Sequence, residues 1–405
     1  MRGADRFRAI LARLVDASAR ERLALSIAAL IASLVVGAII VLVAGYVATC
    51  SEPALQTGAG SFCYNPVDVY YQLFISPFIS PFNLALMMKE MTLLLFTGLS
   101  VAVAFRAGLF NIGTQGQLVF GGLATAMGVL WVAPHLPSGL LGAVVLLPLG
   151  LLIGGTVGGL YGAIPGILKA YAEANEVITT IMLNFVATYV AFYLVSAYFK
   201  DPASQSVETK SLPAYAQLRP VLQPFANSAF SLLAFVFALA LTAGIYYLLF
   251  HTAYGYDLRT SGIQPAAASY GGVAAKRLIV SSMTISGFLG GLAGAVYVMM
   301  VLGRWRTGIP AIGFDGITVS ILASNNPLGV VPAALLFGIL KSGSLSISFA
   351  MGVPKQLVGV LRGLIILFVA MPEFFRMIGR YIGVGSEETP AVAADGGTTE
   401  RESDE

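Results

Sequence analysis

Charged residues are scarce in this chain of 405 residues: Asp, Glu, Lys and Arg make up 11% of it, whereas a soluble domain carries about a quarter. Hydrophobic residues make up 57% and gather in long runs such as 23–48 and 230–250. Runs of this length can cross the roughly 30 Å hydrocarbon layer of a membrane as helices. Because the short alternating segments of a membrane β-barrel do not occur in the sequence, we expect an all-α polytopic membrane protein.

Signatures of catalysis and of nucleotide binding are missing as well. The sequence contains no H-E-x-x-H, G-x-S-x-G or C-x-x-C, and the dipeptide Gly-Lys, which every phosphate-binding loop G-x-x-x-x-G-K-(S/T) needs, does not occur. We therefore expect a protein that is not an enzyme and binds no metal or cofactor itself. If ATP drives it, another chain must bind the ATP. The net charge of +3 is too small to indicate a nucleic-acid partner.

Cysteine is limited to two residues, Cys50 and Cys63, in the loop after the first apolar run. If that loop faces the outside of the cell, the two can form a disulfide. The alternative is a pair of free thiols.

Hydropathy predicts ten membrane segments, and the eighth is too short to span as an ordinary helix. They are 23–48, 84–105, 111–134, 139–167, 175–199, 228–250, 274–302, 312–325, 328–350 and 354–373. Six arginines lie within the first 22 residues. By the positive-inside rule this tail is cytoplasmic, and an even number of segments then places the C-terminal tail inside too.

The predicted organisation is a membrane domain with two polar tails. Residues 1–22 form a cytoplasmic basic tail, either an amphipathic helix on the membrane surface or a plain solvated segment. Residues 23–375 form the transmembrane domain, with an outer loop at 200–227 and an inner loop at 251–275. Residues 376–405 form an acidic cytoplasmic tail whose composition is typical of disorder.

Two short motifs recur and indicate an inverted repeat. The pattern I-G-x-(Q/D)-G occurs at 112–116 and again at 312–316, and G-I-L-K occurs at 166–169 and 338–341. In the predicted topology the first I-G-x-x-G lies at the inner face and the second at the outer face. Segments two to five would then repeat segments seven to ten in inverted orientation, with broken or re-entrant helices at their interface, as in many transporters.

Polar side chains at these breaks are the candidates for a solute pathway. They are Asn111, Gln115, Gln117, Thr180, Asn184 and Asp315. Two roles are open to the amides: they can satisfy a broken backbone or a neighbouring helix, or they can contact a solute. The carboxylates of Asp315 and Glu90 also keep open an ion-coupled secondary transporter.

Five stretches, taken in order, resemble one family. They are FRAGLFNIGTQGQLVFGG, NEVITTIMLNF, LRTSGIQPAAASYGG, SGFLGGLAGAVY and GFDGITVSILASNNPLGVVPAALLFGIL. Together they are similar to the inner-membrane permeases of ABC importers for branched-chain amino acids, ribose-type sugars and nucleosides. N-I-G-x-x-G-Q combined with N-E-V-I-x-T-I-M-L-N is most similar to the nucleoside-type branch. The resemblance covers residues 84–375.

The resemblance implies a multi-pass permease of the plasma membrane that works by alternating access. Its implied partners are a second homologous permease, a cytosolic ABC ATPase that holds ATP-Mg, and an extracytoplasmic solute-binding lipoprotein. The implied solute is a nucleoside or a similar small polar molecule, with sugars or branched-chain amino acids as the alternative. Gln115 stands where many relatives have an acidic residue.

The inner loop matches the coupling-helix region of this family. Within it, a helix-like stretch at 264–270 is bounded by glycines. From the residues alone it is either a docking element for a cytosolic ATPase or an ordinary connector, and the resemblance favours docking. The implied ATPase-coupling residues are Tyr256, Asp257, Arg259, Gly262, Gln264, Pro265 and Ala266.

Overall fold

The computed structural model describes residues 19–50, 52–58, 60–354 and 356–368, and these are predominantly helical. The helices are α1 Ala19–Val47, α2 Pro66–Tyr70, α3 Ser76–Ile79, α4 Pro81–Arg106, α5 Thr114–Val132, α6 Leu140–Ala172, α7 Glu176–Leu194, α8 Leu232–His251, α9 Ala253–Ile263, α10 Pro265–Tyr270, α11 Ala275–Val296, α12 Ile312–Leu322, α13 Pro327–Met351 and α14 Gln356–Phe368. Single π-helical turns follow α2, α7 and α11, at Tyr71–Ile75, Val195–Phe199 and Tyr297–Leu302.

The expected all-α polytopic architecture is confirmed. Among the described residues, eight helices are long and apolar enough to cross a membrane, and α12 and α14 are shorter apolar helices. Together they correspond to the ten predicted segments. The eighth segment, α12, has 11 residues, so at 1.5 Å per residue it is about half the length that a membrane crossing needs. Most of the predicted basic tail and all of the predicted acidic tail lie outside the described residues.

The described chain divides into two compact units. One comprises residues 41–359 and contains every feature discussed below. The described parts of the other are residues 19–40 and 360–368.

Two helices form the centre of the 41–359 unit. In α4 and in α11 with its π turn, 78% of the most apolar stretch is buried, against 28% in α6 and 22% in α7. The glycines of α11 allow the close approach of its neighbours: a Cβ at Gly291 would overlap the carbonyl oxygen of Gly154 on α6, and one at Gly294 would overlap that of Leu118 on α5. The glycine-rich stretches therefore serve helix packing, as small-xxx-small patterns in membranes usually do.

The loop between α1 and α4 contains structure that the hydropathy pattern did not predict. An antiparallel hairpin, β1 Leu55–Thr57 and β2 Gly60–Phe62, is followed by α2 and α3. The start signals of α2 and of the following helix, α4, are nevertheless present in the sequence. The side chain of Asn65 accepts a hydrogen bond from the Val67 amide at the start of α2, and Ser80 caps α4 in the same way. Each cap precedes a proline at the first helical position, which is a typical start of a helix.

A disulfide joins Cys50 and Cys63 across this hairpin, so the structure has the bonded alternative rather than free thiols.

We expect the variant Cys50→Ser/Cys63→Ser to lose up to about 3 kcal/mol of local stability, because the bond closes a loop of 13 residues. Limited proteolysis of the hairpin should then become faster. Ser61→Ala, an exposed change in β2, is the matched control. Equal cleavage rates for the disulfide variant and this control would contradict the expectation.

Candidate functional site

The first helix break lies between α4 and α5. The chain leaves α4 at Arg106, turns through Gly108 with a φ of 71°, and becomes helical again only at Thr114. The helix therefore begins three residues after the start of the predicted segment 111–134. Asn184 of α7 closes the break: its Oδ1 accepts from the Gly116 amide at 2.8 Å and its Nδ2 donates to the Ile112 carbonyl at 2.9 Å. One side chain thus satisfies a free donor and a free acceptor that would otherwise be costly at membrane depth.

A buried polar cluster extends from this break to α4 and α11. The Asn111 Oδ1 accepts from the Gly113 amide at 2.8 Å, and its Nδ2 donates to Gln117 Oε1 at 3.1 Å and to Ser286 Oγ at 2.7 Å. The Ser286 hydroxyl in turn donates to the Ser100 carbonyl at 2.6 Å. Neither serine was a predicted site residue. A single serine among small residues gives no sequence signal, because a hydroxyl in a helix can equally well bond its own backbone.

The second break lies before α12, where the chain runs through residues 303–311 without helix. Gln115 of α5 reaches it directly. Its Nε2 donates to the Pro310 carbonyl at 3.0 Å and its Oε1 accepts from the Gly313 amide at 2.8 Å. The two I-G-x-x-G motifs are therefore in contact, and the expectation that they lie at opposite faces of the membrane is wrong. The reason is the non-helical segment, which brings the chain back into the interior before α12 begins.

From this shared contact, α5 and α12 lead to different ends of the molecule. Beyond α5, the Ala133 carbonyl accepts a hydrogen bond from Tyr215 of the outer loop. Beyond α12, the Ser324 and Asn325 carbonyls accept from the Arg106 guanidinium at the end of α4. Two broken helices that begin together and diverge fit the predicted inverted repeat.

A cluster of four charged side chains adjoins the start of α12. Lys341 of α13 pairs with Asp315 at 2.9 Å and with Glu90 of α4 at 3.0 Å, and Glu90 also pairs with Lys89 at 2.9 Å. The side chain of Asp315 is 30% exposed, whereas the other three are 15–19% exposed. Two cations thus balance two anions in a largely buried site. The carboxylates that left an ion-coupled mechanism open are both engaged by lysines.

The candidate pathway residues fall into two groups. Asn111, Gln117 and Asn184 bond the backbone or one another, and the Thr180 hydroxyl donates to the Glu176 carbonyl of its own helix at 2.6 Å. These contacts correspond to the backbone-satisfying role. Gln115 lines a cavity and Asp315 is partly exposed, so these two also border open space. A solute contact for any of the six stays a prediction.

The inner loop forms two helices, α9 and α10, packed at the ends of the central helices. The predicted helix-like stretch 264–270 corresponds to α10, whereas α9 was not predicted, although Thr252 accepts from the Gly255 amide as an ordinary N-cap. Gly262 at the end of α9 lies in backbone contact with Gly108, at the beginning of the first break. The Tyr254 hydroxyl bonds Ser281 of α11 at 2.7 Å, and burial raises the pKa of this tyrosine.

Two arginines further stabilise the contact between α9 and the end of α4. The guanidinium carbons of Arg106 and Arg259 lie 5.3 and 4.8 Å from the centre of the Phe250 ring, in cation–π geometry. Thus Arg259, one of the implied coupling residues, serves the packing of α9, and Asp257 is also partly buried.

The opposite face of these helices is exposed. Tyr256 is 62% exposed, and Gln264, Pro265 and Ala266 are also exposed. Two large apolar residues that were not predicted lie beside them: Ile263 is 83% exposed and Tyr270 is 95% exposed. Exposed apolar side chains that lie together on a surface helix are typical of a protein contact.

Two broken helices that meet within a polytopic bundle, with surface helices at one end, are typical of a membrane transport protein. The chain belongs to the family described as branched-chain amino acid transport system / permease component, whose model matches residues 83–370. It is a multi-pass transport subunit of the plasma membrane.

Its relatives include several ABC transporter permeases. The chain is 34% identical to the guanosine ABC transporter permease protein NupP of Bacillus subtilis, over 86% of this chain and 93% of that protein. It is 31% identical to the nucleoside ABC transporter permease protein NupB of Lactococcus lactis, over 77% of this chain and 85% of that protein. The glucose ABC transporter permease protein TsgB13 of Haloferax volcanii is 32% identical over 82% of this chain and 88% of its own length.

Proposed function

We propose that the protein is the permease of an ATP-driven ABC importer, and that it forms half of the translocation path for a nucleoside or a similar small polar solute. The similarity to two permeases named for guanosine and nucleosides, each covered over most of its length, is the observation that carries the solute class. The relative named for glucose supports the alternative, a sugar permease.

The geometry supports alternating access driven from the inner end. Gly262 touches Gly108 through the backbone, and five residues further on the chain reaches Gly113 at the break. A displacement of α9 would therefore act on the first break over a short distance. Since Gln115 joins that break to the start of α12, both halves of the repeat would respond. Interfaces of packed elements with two discrete arrangements are the usual basis of such switching.

The same surfaces indicate where partners would bind. The exposed face of α9 and α10 suits a cytosolic ABC ATPase, which would hold ATP-Mg and hydrolyse it. On the other side, the loop 200–227 packs on residues 303–307: Glu208 pairs with Arg304 at 2.7 Å, and the Thr209 amide donates to the Trp305 carbonyl. An ordered outer loop of this kind suits a solute-binding lipoprotein. Only 22% of the most apolar stretch of α7 is buried, so its exposed face suits contact with a second permease subunit.

Docking of the ATPase is tested at the two apolar residues of this inner face. We expect Ile263→Asp/Tyr270→Ala to reduce co-purification of the ATPase and solute-stimulated ATP hydrolysis about tenfold or more, because exposed anchors of this size dominate interfaces. Val221→Asp in the outer loop, where Val221 is 76% exposed, is the matched control. Retained ATPase binding and coupling in the double variant would show that these helices are ordinary connectors.

The solute class is tested with the complete transporter in proteoliposomes. Uptake of radiolabelled guanosine or adenosine should require ATP and should not be inhibited by excess glucose or leucine. Uptake of glucose in place of nucleosides would support the sugar alternative. Uptake driven by an ion gradient without ATP would support the ion-coupled carrier.

A further inference from the structure

A cavity of ≈ 280 Å³ lies directly beside the contact between the two breaks. Gln115 and Val119 of α5 form one wall, Thr188, Tyr189 and Phe192 of α7 form the second, and the non-helical segment before α12 forms the third. Its volume is close to the lower limit of small-molecule sites, about 300 Å³. A cavity of this size suits one small planar ring system.

Three aromatic side chains give this cavity flat, apolar walls. Trp305 is only 2% exposed, its ring nitrogen donates to the Val119 carbonyl at 3.3 Å, and its backbone is bonded to Thr209, so it forms a fixed wall. Tyr189 and Phe192 are 69% and 46% exposed and form the open side. Aromatic side chains in such positions are the usual platforms on which bases stack, because every base has a π-face.

Polar atoms at the same cavity can recognise the edge of a ring. The Gln115 Nε2 donates one hydrogen bond and its Oε1 accepts one, whereas a primary amide can donate two and accept two. The Thr188 hydroxyl donates to the Asn184 carbonyl at 2.9 Å, so its oxygen can still accept. Thr307 supplies a further hydroxyl. A ring with alternating donors and acceptors along its edge matches this set.

We propose that this cavity is a subsite for the base of the solute, where the ring stacks on Tyr189 and Phe192 and its edge bonds Gln115. The proposal rests on the proposed function for the solute class, and adds the place and the residues. It also gives Gln115 a second role, since the amide that joins the two breaks would contact the solute.

Stacking is tested by Tyr189→Ala and Phe192→Ala in the reconstituted transporter. Each should raise the KM for guanosine uptake about tenfold, which is typical of removing one aromatic platform, while co-purification of the ATPase stays at the wild-type level. Tyr193→Ala is the matched control, because Tyr193 is 58% exposed on the same helix but does not line the cavity. An unchanged KM in both variants, or an equal rise in the control, would overturn the proposal.

Occupancy is tested independently with a cysteine at the cavity. Both native cysteines are joined in the disulfide, so Thr188→Cys introduces the single free thiol of the chain. Guanosine should slow its alkylation by a maleimide at least threefold and should leave Tyr193→Cys unaffected. If the wild-type complex transports guanosine but the Thr188→Cys thiol is not protected, the cavity is not the subsite. If the wild-type complex does not transport nucleosides, the proposed function itself fails.

Discussion

Lys341→Met is expected to destabilise the protein strongly and to abolish transport. The change leaves Glu90 with Lys89 alone and Asp315 without a cation in a site where these side chains are largely buried. Removing one partner of a buried ion pair typically costs about 3–5 kcal/mol, because the remaining charge is left uncompensated. Thermal unfolding of the purified complex and the yield of folded protein measure the effect.

A second variant separates stability from mechanism. In Lys341→Met/Asp315→Asn, the Lys89–Glu90 pair remains and the cluster is neutral again, so most of the lost stability should return. If this double variant also transports with ATP, ion coupling through Asp315 is excluded. A Lys341→Met protein as stable as wild type would mean that the charge cluster does not stabilise the fold.

Asn184→Leu should have a comparably large effect through the backbone. The substitution keeps the branched shape and the number of heavy atoms but leaves the Gly116 amide and the Ile112 carbonyl without their partner. A buried polar group that loses its partner costs about 1–3 kcal/mol, and here there are two. We expect a lower unfolding temperature and a loss of solute-stimulated ATP hydrolysis, because the break can no longer be held in one arrangement.

Thr180→Val is the control for this change, one turn earlier on the same helix face. Thr180 is fully buried, and its hydroxyl donates to the carbonyls of Glu176 and Val177 in its own helix. Its replacement by a residue of the same shape should therefore be nearly neutral. Equal behaviour of Thr180→Val and Asn184→Leu would mean that Asn184 does not hold the break.

The membrane segments could be predicted from the sequence because the hydrocarbon layer imposes one simple requirement. Each crossing needs about 20 apolar residues with internally bonded backbone, and this produces long runs such as Leu140–Ala172. The short α12 was recognised for the same reason, because its predicted segment 312–325 is too short to cross the layer; the helix itself ends at Leu322. Helices outside the layer follow no such requirement, so α2, α3 and α9 were missed, although α2 and α9 begin with side-chain N-caps.

The candidate site was predicted as a set of residues but not as an arrangement. The amides around residue 115 could be recognised as candidates because they are polar side chains in an apolar region. Their partners could not be identified, because they are mostly backbone atoms, which every residue has and which the sequence therefore does not distinguish. The contact between the two breaks depends on residues 303–311, whose mixture of glycine, arginine and apolar residues has no recognisable period. The direction of this segment is set by backbone hydrogen bonds to residues 207–212 of the outer loop. These are tertiary contacts, which the local sequence does not show.

The bond between Cys50 and Cys63 also has a bearing on sidedness that is independent of any count of arginines. Disulfides persist in the oxidising space outside the cytosol and are rare within it. We therefore expect the hairpin to lie on the external face. Between it and α9 the chain passes along α4, α5, α6, α7 and α8. Five passages are an odd number, so the redox chemistry of one small hairpin predicts that α9 and α10 lie in the compartment where ATP is found.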